Sequence, residues 1–107
     1  MSAPDLSQLM EQAREAQSRL AALQRELATR RVEGSAGGGM VNAVVSGDLR
    51  VLEVRFEDEL FAGGDRAMLQ DLTAAAVNSA LANAQRMIQE EMQRASAGLP
   101  LAGLVQG

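Results

Sequence analysis

Leu6, Leu9, Ala13, Ala16, Leu20, Leu23 and Leu27 recur at alternating steps of three and four residues. That spacing places them on one stripe of a helix, an a/d seam kept for about three heptads. The pattern predicts a helix over residues 5–31, whose seam ends where Arg30 takes the next apolar position. No Gly or Pro interrupts this stretch. Ser2 and Asp5 stand at capping-box spacing, and Pro4 falls in the first turn, where a missing N–H matters little. At about 1.5 Å per residue the helix is roughly 40 Å long, far beyond the radius of gyration of about 13 Å for a 100-residue globule. It is expected to project, and a projecting apolar seam calls for a partner.

The period then changes. Residues 32–35 read as a short strand, Gly37-Gly38-Gly39 as a turn, and residues 40–45 as a strand of β-branched character. Ser46-Gly47-Asp48 reads as a tight turn with Gly at the permissive position. In residues 51–56, Leu52, Val54 and Phe56 alternate with Val51, Glu53 and Arg55, which predicts one buried face and one wet face. Glu57-Asp58-Glu59 and Ala62-Gly63-Gly64 read as loop.

Residues 65–97 read as a second long helix with Asp65 as N-cap. From Leu72 to Ala84 it is apolar nearly all round and rich in Ala. Small residues permit close approach, so Leu72, Ala75, Ala76 and Ala80 are the expected positions of a subunit contact. Met87, Ile88 and Met92 continue an apolar stripe, and Gly98 with Pro100 stops the helix. The predicted class is α+β: an α-β-β-β-α subunit, two long helices flanking a small antiparallel sheet, in a dimer. One domain over residues 1–97 and a flexible tail over 98–107 are expected.

Composition sharpens this reading mostly by what is missing. The chain of 107 residues has no Cys, His, Trp, Tyr or Lys, and all ten basic residues are Arg. Without Cys and His no zinc site of the usual kind forms, and no Ser-His-Asp or Cys-His constellation is available. Without Lys there is no Schiff base and no phosphate-loop lysine, so the Gly37–Gly39 run is a structural turn. Glu57, Asp58 and Glu59 lack the ligand spacing of a calcium loop and read as a solvated acidic segment. No catalytic residue, metal, cofactor or small-molecule substrate is expected, and the chain is not read as an enzyme. The six Met are gap-fillers. Disulfides are excluded, the N-terminus has no signal-peptide pattern, and no run spans a bilayer, so a soluble cytoplasmic protein is expected. A domain of this size buries only about 65% of the surface of its unfolded chain, which leaves room for help from a second subunit.

The stretch Val32-Glu33-Gly34-Ser35-Ala36-Gly37-Gly38-Gly39-Met40-Val41, the turn Gly47, and Met68-Leu69-Gln70-Asp71-Leu72 with Ala74-Ala75-Ala76-Val77-Asn78 carry a resemblance. So do the opening helix around Leu9-Met10 and the tail from Gly98 to Pro100. Together they resemble the bacterial nucleoid-associated YbaB/EbfC proteins over nearly the whole chain. The resemblance implies a homodimer with a central β region and long helices reaching outward like tweezers. It implies DNA binding in the nucleoid, a role in organising or protecting it, an effect on gene expression, and no cofactor. Asn42 stands where the family usually carries a basic residue, and Glu57-Asp58 where it often carries Asp-Pro.

The formal net charge is -4, but it is unevenly spread. Residues 1–31 carry five Arg against Asp5, Glu11, Glu15 and Glu26, whereas residues 32–64 carry two Arg against six acids. The Arg residues of the helices are therefore the candidate contacts to phosphate: Arg14, Arg19, Arg25, Arg30 and Arg31, then Arg86 and Arg94. On the heptad, Arg14 and Arg25 point away from the seam, and Glu11 with Arg14 and Glu15 with Arg19 stand at helical pairing distance. No helix-turn-helix or zinc-finger pattern is present, and only Phe56 and Phe61 are aromatic. Double-stranded DNA read through its backbone and shape is thus the expected partner, rather than a base sequence or a stacked single strand. The acidic middle and the apolar tail support a second reading, a protein-interaction module that docks another protein.

Overall fold

The computed structural model describes residues 5–97. Helix α1 spans Leu6–Thr29, and three strands follow: β1 Arg31–Ala36, β2 Val41–Ser46 and β3 Val51–Phe56. A five-residue helix α2, Asp58–Ala62, leads into α3, Arg66–Ala97. The strands form one antiparallel sheet in the order β1-β2-β3. The α+β layout expected from the pattern is therefore present.

The core lies between one face of this sheet and the middle of α3. Register brings Val32, Gly34 and Ala36 of β1 level with Val45, Ala43 and Val41 of β2. Val41, Ala43 and Val45 are fully buried, and so are Ala76, Ala80 and Ala84 of α3. The three Ala recur every four residues, so they form one stripe laid along the sheet. Contact is closest at Gly34, where a Cβ would overlap the backbone of Ala80. This fixes what the Ala-rich run does. Ala76 and Ala80 were expected at a contact between subunits, and instead they pack on the chain's own sheet. The flat, small-residue surface of Gly34 and Ala43 accepts nothing bulkier. Leu72 is half-buried and Ala75 is exposed.

Helix α1 stands largely apart, as its length requires. Leu27 is its one buried residue, while Leu6, Leu9 and Met10 are 70%, 47% and 53% exposed. The molecule is correspondingly drawn out, 75 × 24 × 15 Å with a radius of gyration of 21.0 Å. The Asp5 side chain caps α1 through the Ser7 N–H at 3.4 Å; the expected Ser2 and Pro4 cap lies outside the described residues. At the other end α1 stops at Thr29 rather than residue 31, because Arg31 already pairs with Ser46 in the sheet.

The helix end docks on the β2–β3 turn. Gly47 donates to the Arg30 carbonyl at 3.0 Å, and a Cβ on Gly47 would overlap the Leu27 carbonyl. Gly47 is needed for this close approach and not for a left-handed turn. The left-handed position in that turn is held by Leu49, with φ 64°.

Two further departures from the pattern have local causes. Val44 pairs with Glu53 but Val45 pairs with Val51, so Leu52 is an extra residue in β3. This bulge breaks the alternation. Leu52 is 47% exposed instead of lying with Val54 and Phe56 on the core face. The segment 57–62, expected as loop, forms α2 because Asp58 and Glu59 occupy the first turn of a helix, where acids are favoured. Burial of Leu60, at 2% exposure, and an edge-to-face contact of Phe61 with Phe56 at 5.4 Å hold α2 in place.

Candidate nucleic-acid interface

The fold sorts the seven candidate Arg residues into two groups. Arg14, Arg19 and Arg25 lie along α1, and Arg86 lies on α3; all four are exposed. Among the described residues, no carboxylate forms an ion pair with any of them. The intrahelical pairs open to Glu11 with Arg14 and to Glu15 with Arg19 are not made. Arg14 and Arg25 are eleven positions apart, which returns them to nearly the same face about 16 Å apart along the axis. Arg19 sits well round the helix from both. These cations stand on the arm, clear of the acidic middle of the chain.

Arg30, Arg31 and Arg94 are engaged instead. Arg30 reaches Glu26 at 3.7 Å on its own helix and Glu91 of α3 at 3.6 Å. It also approaches the Met87 Sδ at 3.8 Å. Arg94 donates to the same Glu91 Oε1 at 2.7 Å. Arg31 pairs with Glu53 at 3.2 Å, and Arg55 meets that carboxylate from its own strand at 2.8 Å.

Glu53 is the neighbour of Val44 in the register, and Arg31 is the neighbour of Ser46. The Arg31–Glu53 pair therefore crosses β2 on the sheet face away from α3, above Val44, which is only 2% exposed. Arg30, Arg31, Glu53 and Glu91 were not legible as a set from spacing. They form two separate pairs, Arg30 with Glu91 and Arg31 with Glu53, only when the end of α1 is folded against the sheet and α3. Of the new partners, Glu91 had a sequence signal, its place three residues before Arg94, and Glu53 had its place two residues before Arg55 on one strand face.

The rest of the sheet's open face is polar. Glu33, Ser35, Asn42 and Arg55 are exposed there. Asn42, at the position where a basic residue was looked for, donates its Nδ2 to the Gly39 carbonyl at 2.9 Å and so braces the glycine turn. Among the described residues no group of three or more His, Cys, Asp and Glu could hold a metal ion. No helix among them is long and apolar enough to cross a membrane.

An apolar groove lies on the other side of the subunit, beside the free edge of β3. It has a volume of about 540 Å³ and is lined by Phe56, Leu69, Gln70, Thr73, Ala74, Val77 and Asn78. Phe61 and Met68, near its end, are 58% and 38% exposed.

Comparison with known proteins identifies relatives of this chain. The model of the YbaB/EbfC DNA-binding family matches residues 1–99. A nucleoid-associated protein of Desulfotalea psychrophila is 41% identical over 94% of this chain and 94% of its own length. A nucleoid-associated protein of Syntrophobacter fumaroxidans is 44% identical over 89% of this chain and 86% of its own length. Among solved structures, an uncharacterized protein from Helicobacter pylori matches with a TM-score of 0.60 at 16% identity, covering 75% of this chain and 93% of that one. At that identity the likeness is one of fold.

Proposed function

The chain belongs to the YbaB/EbfC DNA-binding family, and from that premise we propose that it binds duplex DNA as a homodimer, with little sequence specificity, in the cytoplasmic nucleoid. Its role is to organise or protect the nucleoid, with consequences for gene expression. The relatives that carry the name nucleoid-associated protein support that placement. The observation that carries the binding mode is the set of Arg14, Arg19 and Arg25 on α1, exposed and free of carboxylate partners among the described residues.

A guanidinium with no internal partner meets phosphate without first giving up an ion pair. Phosphate contact is also the part of DNA recognition that ignores base sequence. The net charge of -4 keeps nonspecific attraction weak, so binding depends on where the Arg residues stand and falls steeply with salt. The dimer is supported by the bare apolar seam at the start of α1 and by the groove beside Phe56 and Val77. Surfaces of this kind on so small a core are covered in stable proteins.

The test is fluorescence anisotropy of a labelled random-sequence duplex at two salt concentrations. Saturable binding that weakens with salt and barely changes with sequence is expected. Replacing Arg14, Arg19 and Arg25 together by Ala should weaken it uniformly. Unchanged affinity in that triple variant would overturn the assignment of the arm.

A further inference from the structure

At the elbow where α1 meets α3, the guanidinium groups of the α1 C-cap residue Arg30 and of Arg94 in α3 converge on one carboxylate oxygen. Glu91 Oε1 lies 2.7 Å from Arg94 Nη1 and 3.6 Å from Arg30 Nη1. Glu91 is the more enclosed partner, its side chain 20% exposed, while those of Arg30 and Arg94 are 42% and 68% exposed. The carboxylate thus lies beneath, and the cations face the solvent above it.

Two Arg residues that converge from two elements form a fork that suits an oxyanion with two free oxygens, which is the shape of a DNA phosphodiester. We propose that Glu91 is a built-in stand-in for phosphate. It occupies the Arg30–Arg94 fork in the DNA-free protein and yields it to the duplex backbone on binding. The inference rests on the duplex-binding reading given above and adds to it a site and a restraint on affinity.

The chemistry follows from the pairs. Arg30 and Arg94 enter the complex only by exchanging one anion for another, so their net gain is smaller than that of Arg14 or Arg25. The exchange also frees Arg30, which otherwise ties the end of α1 to α3. Binding at the fork then loosens the one ion pair seen between the two long helices among the described residues. Glu26, on the far side of the Arg30 guanidinium at 3.7 Å, remains to hold that side chain near the elbow.

The test is duplex affinity of the full-length chain carrying Glu91→Gln, with Glu90→Gln as the control for simple loss of a negative charge on the same stretch of helix. Gln keeps the shape and the acceptor oxygen, and circular dichroism checks that both variants are folded. The expected result is an affinity gain of at least about threefold for E91Q at low salt, little change for E90Q, and no gain when E91Q is combined with R30A and R94A. Equal gains in E91Q and E90Q, or unchanged or weaker binding by E91Q, would overturn the stand-in while leaving the arm's role intact. Failure of the unmodified protein to bind the duplex would remove the functional reading itself, and the stand-in with it.

Discussion

Gly34 of β1 lies directly against the backbone of Ala80 in α3, so closely that the helix and the sheet have no room for a methyl group between them. Everything else about the subunit's core follows from this contact. Ala76 and Ala84, one turn to either side, meet the sheet at the same depth, and the core is only as thick as small side chains allow. Gly34→Ala forces backbone apart rather than a flexible side chain. A loss of about 2–3 kcal/mol or more is expected, read as a lower urea midpoint with the fold otherwise intact. A variant as stable as the parent would mean that α3 does not sit on β1 in this way.

The turn after β2 stores strain that the sequence did not advertise. Leu49 holds φ 64° and is still 41% exposed. The left-handed region costs an ordinary residue about 1–2 kcal/mol, and Gly gives back part of that relief as chain entropy. Leu49→Gly is therefore expected to stabilise the protein by up to about 1 kcal/mol, seen as a rise in melting temperature. The neighbouring Gly47→Ala should do the opposite, because its Cβ would strike the Leu27 carbonyl and push α1 off the hairpin.

The two groups of Arg predict an order of effects on DNA binding. Arg14 and Arg25 have no ion-pair partner among the described residues, whereas Arg31 is held by Glu53 above Val44. R14A and R25A should each weaken duplex binding more than R31A, and each lost phosphate contact should flatten the salt slope by about 0.9. R31A should instead show in stability, by about 1 kcal/mol or less, since its pair with Glu53 is half in solvent. Titrations at several salt concentrations beside urea melts separate the two behaviours.

The groove beside β3 supplies a test of the dimer. Ala74 is exposed, lines the groove, and has no part in the buried stripe of Ala76, Ala80 and Ala84. Ala74→Asp places a charge where a second copy would bury apolar surface. Light scattering at micromolar concentration should return a dimer for the parent and a smaller species for A74D, with unchanged circular dichroism. A parent protein that is monomeric under these conditions would count decisively against the dimer.

How much of this was legible beforehand depends on whether local pattern or long-range packing decides. The seam from Leu6 to Leu27 is a property of spacing, so α1 and its projection could be read directly. The strands, the Asp65 cap, which accepts from the Met68 N–H at 3.0 Å, and the glycine turn were equally local. The short helix α2 is not legible locally, because an acidic run shortly before a Gly-Gly pair looks like loop. Only the pocket that receives Leu60 makes it pay to be helical. Leu52 was assigned to the buried face because alternation carries no sign of a bulge.

The sequence by itself determined the order and kind of the elements and the absence of Lys, His and Cys. It also set the excess of Arg over acids in residues 1–31, because each of these is a matter of residue identity and local period. Tertiary structure alone decided which surface of the Ala-rich helix is spent inside the subunit. It also decided that Gly47 makes room for a helix end, and that Arg30 and Arg94 share one carboxylate while Arg14 and Arg25 have none among the described residues. Those outcomes depend on distances between residues dozens of positions apart. Such distances exist only once β1 has closed against α3 and fixed the end of α1 beside it.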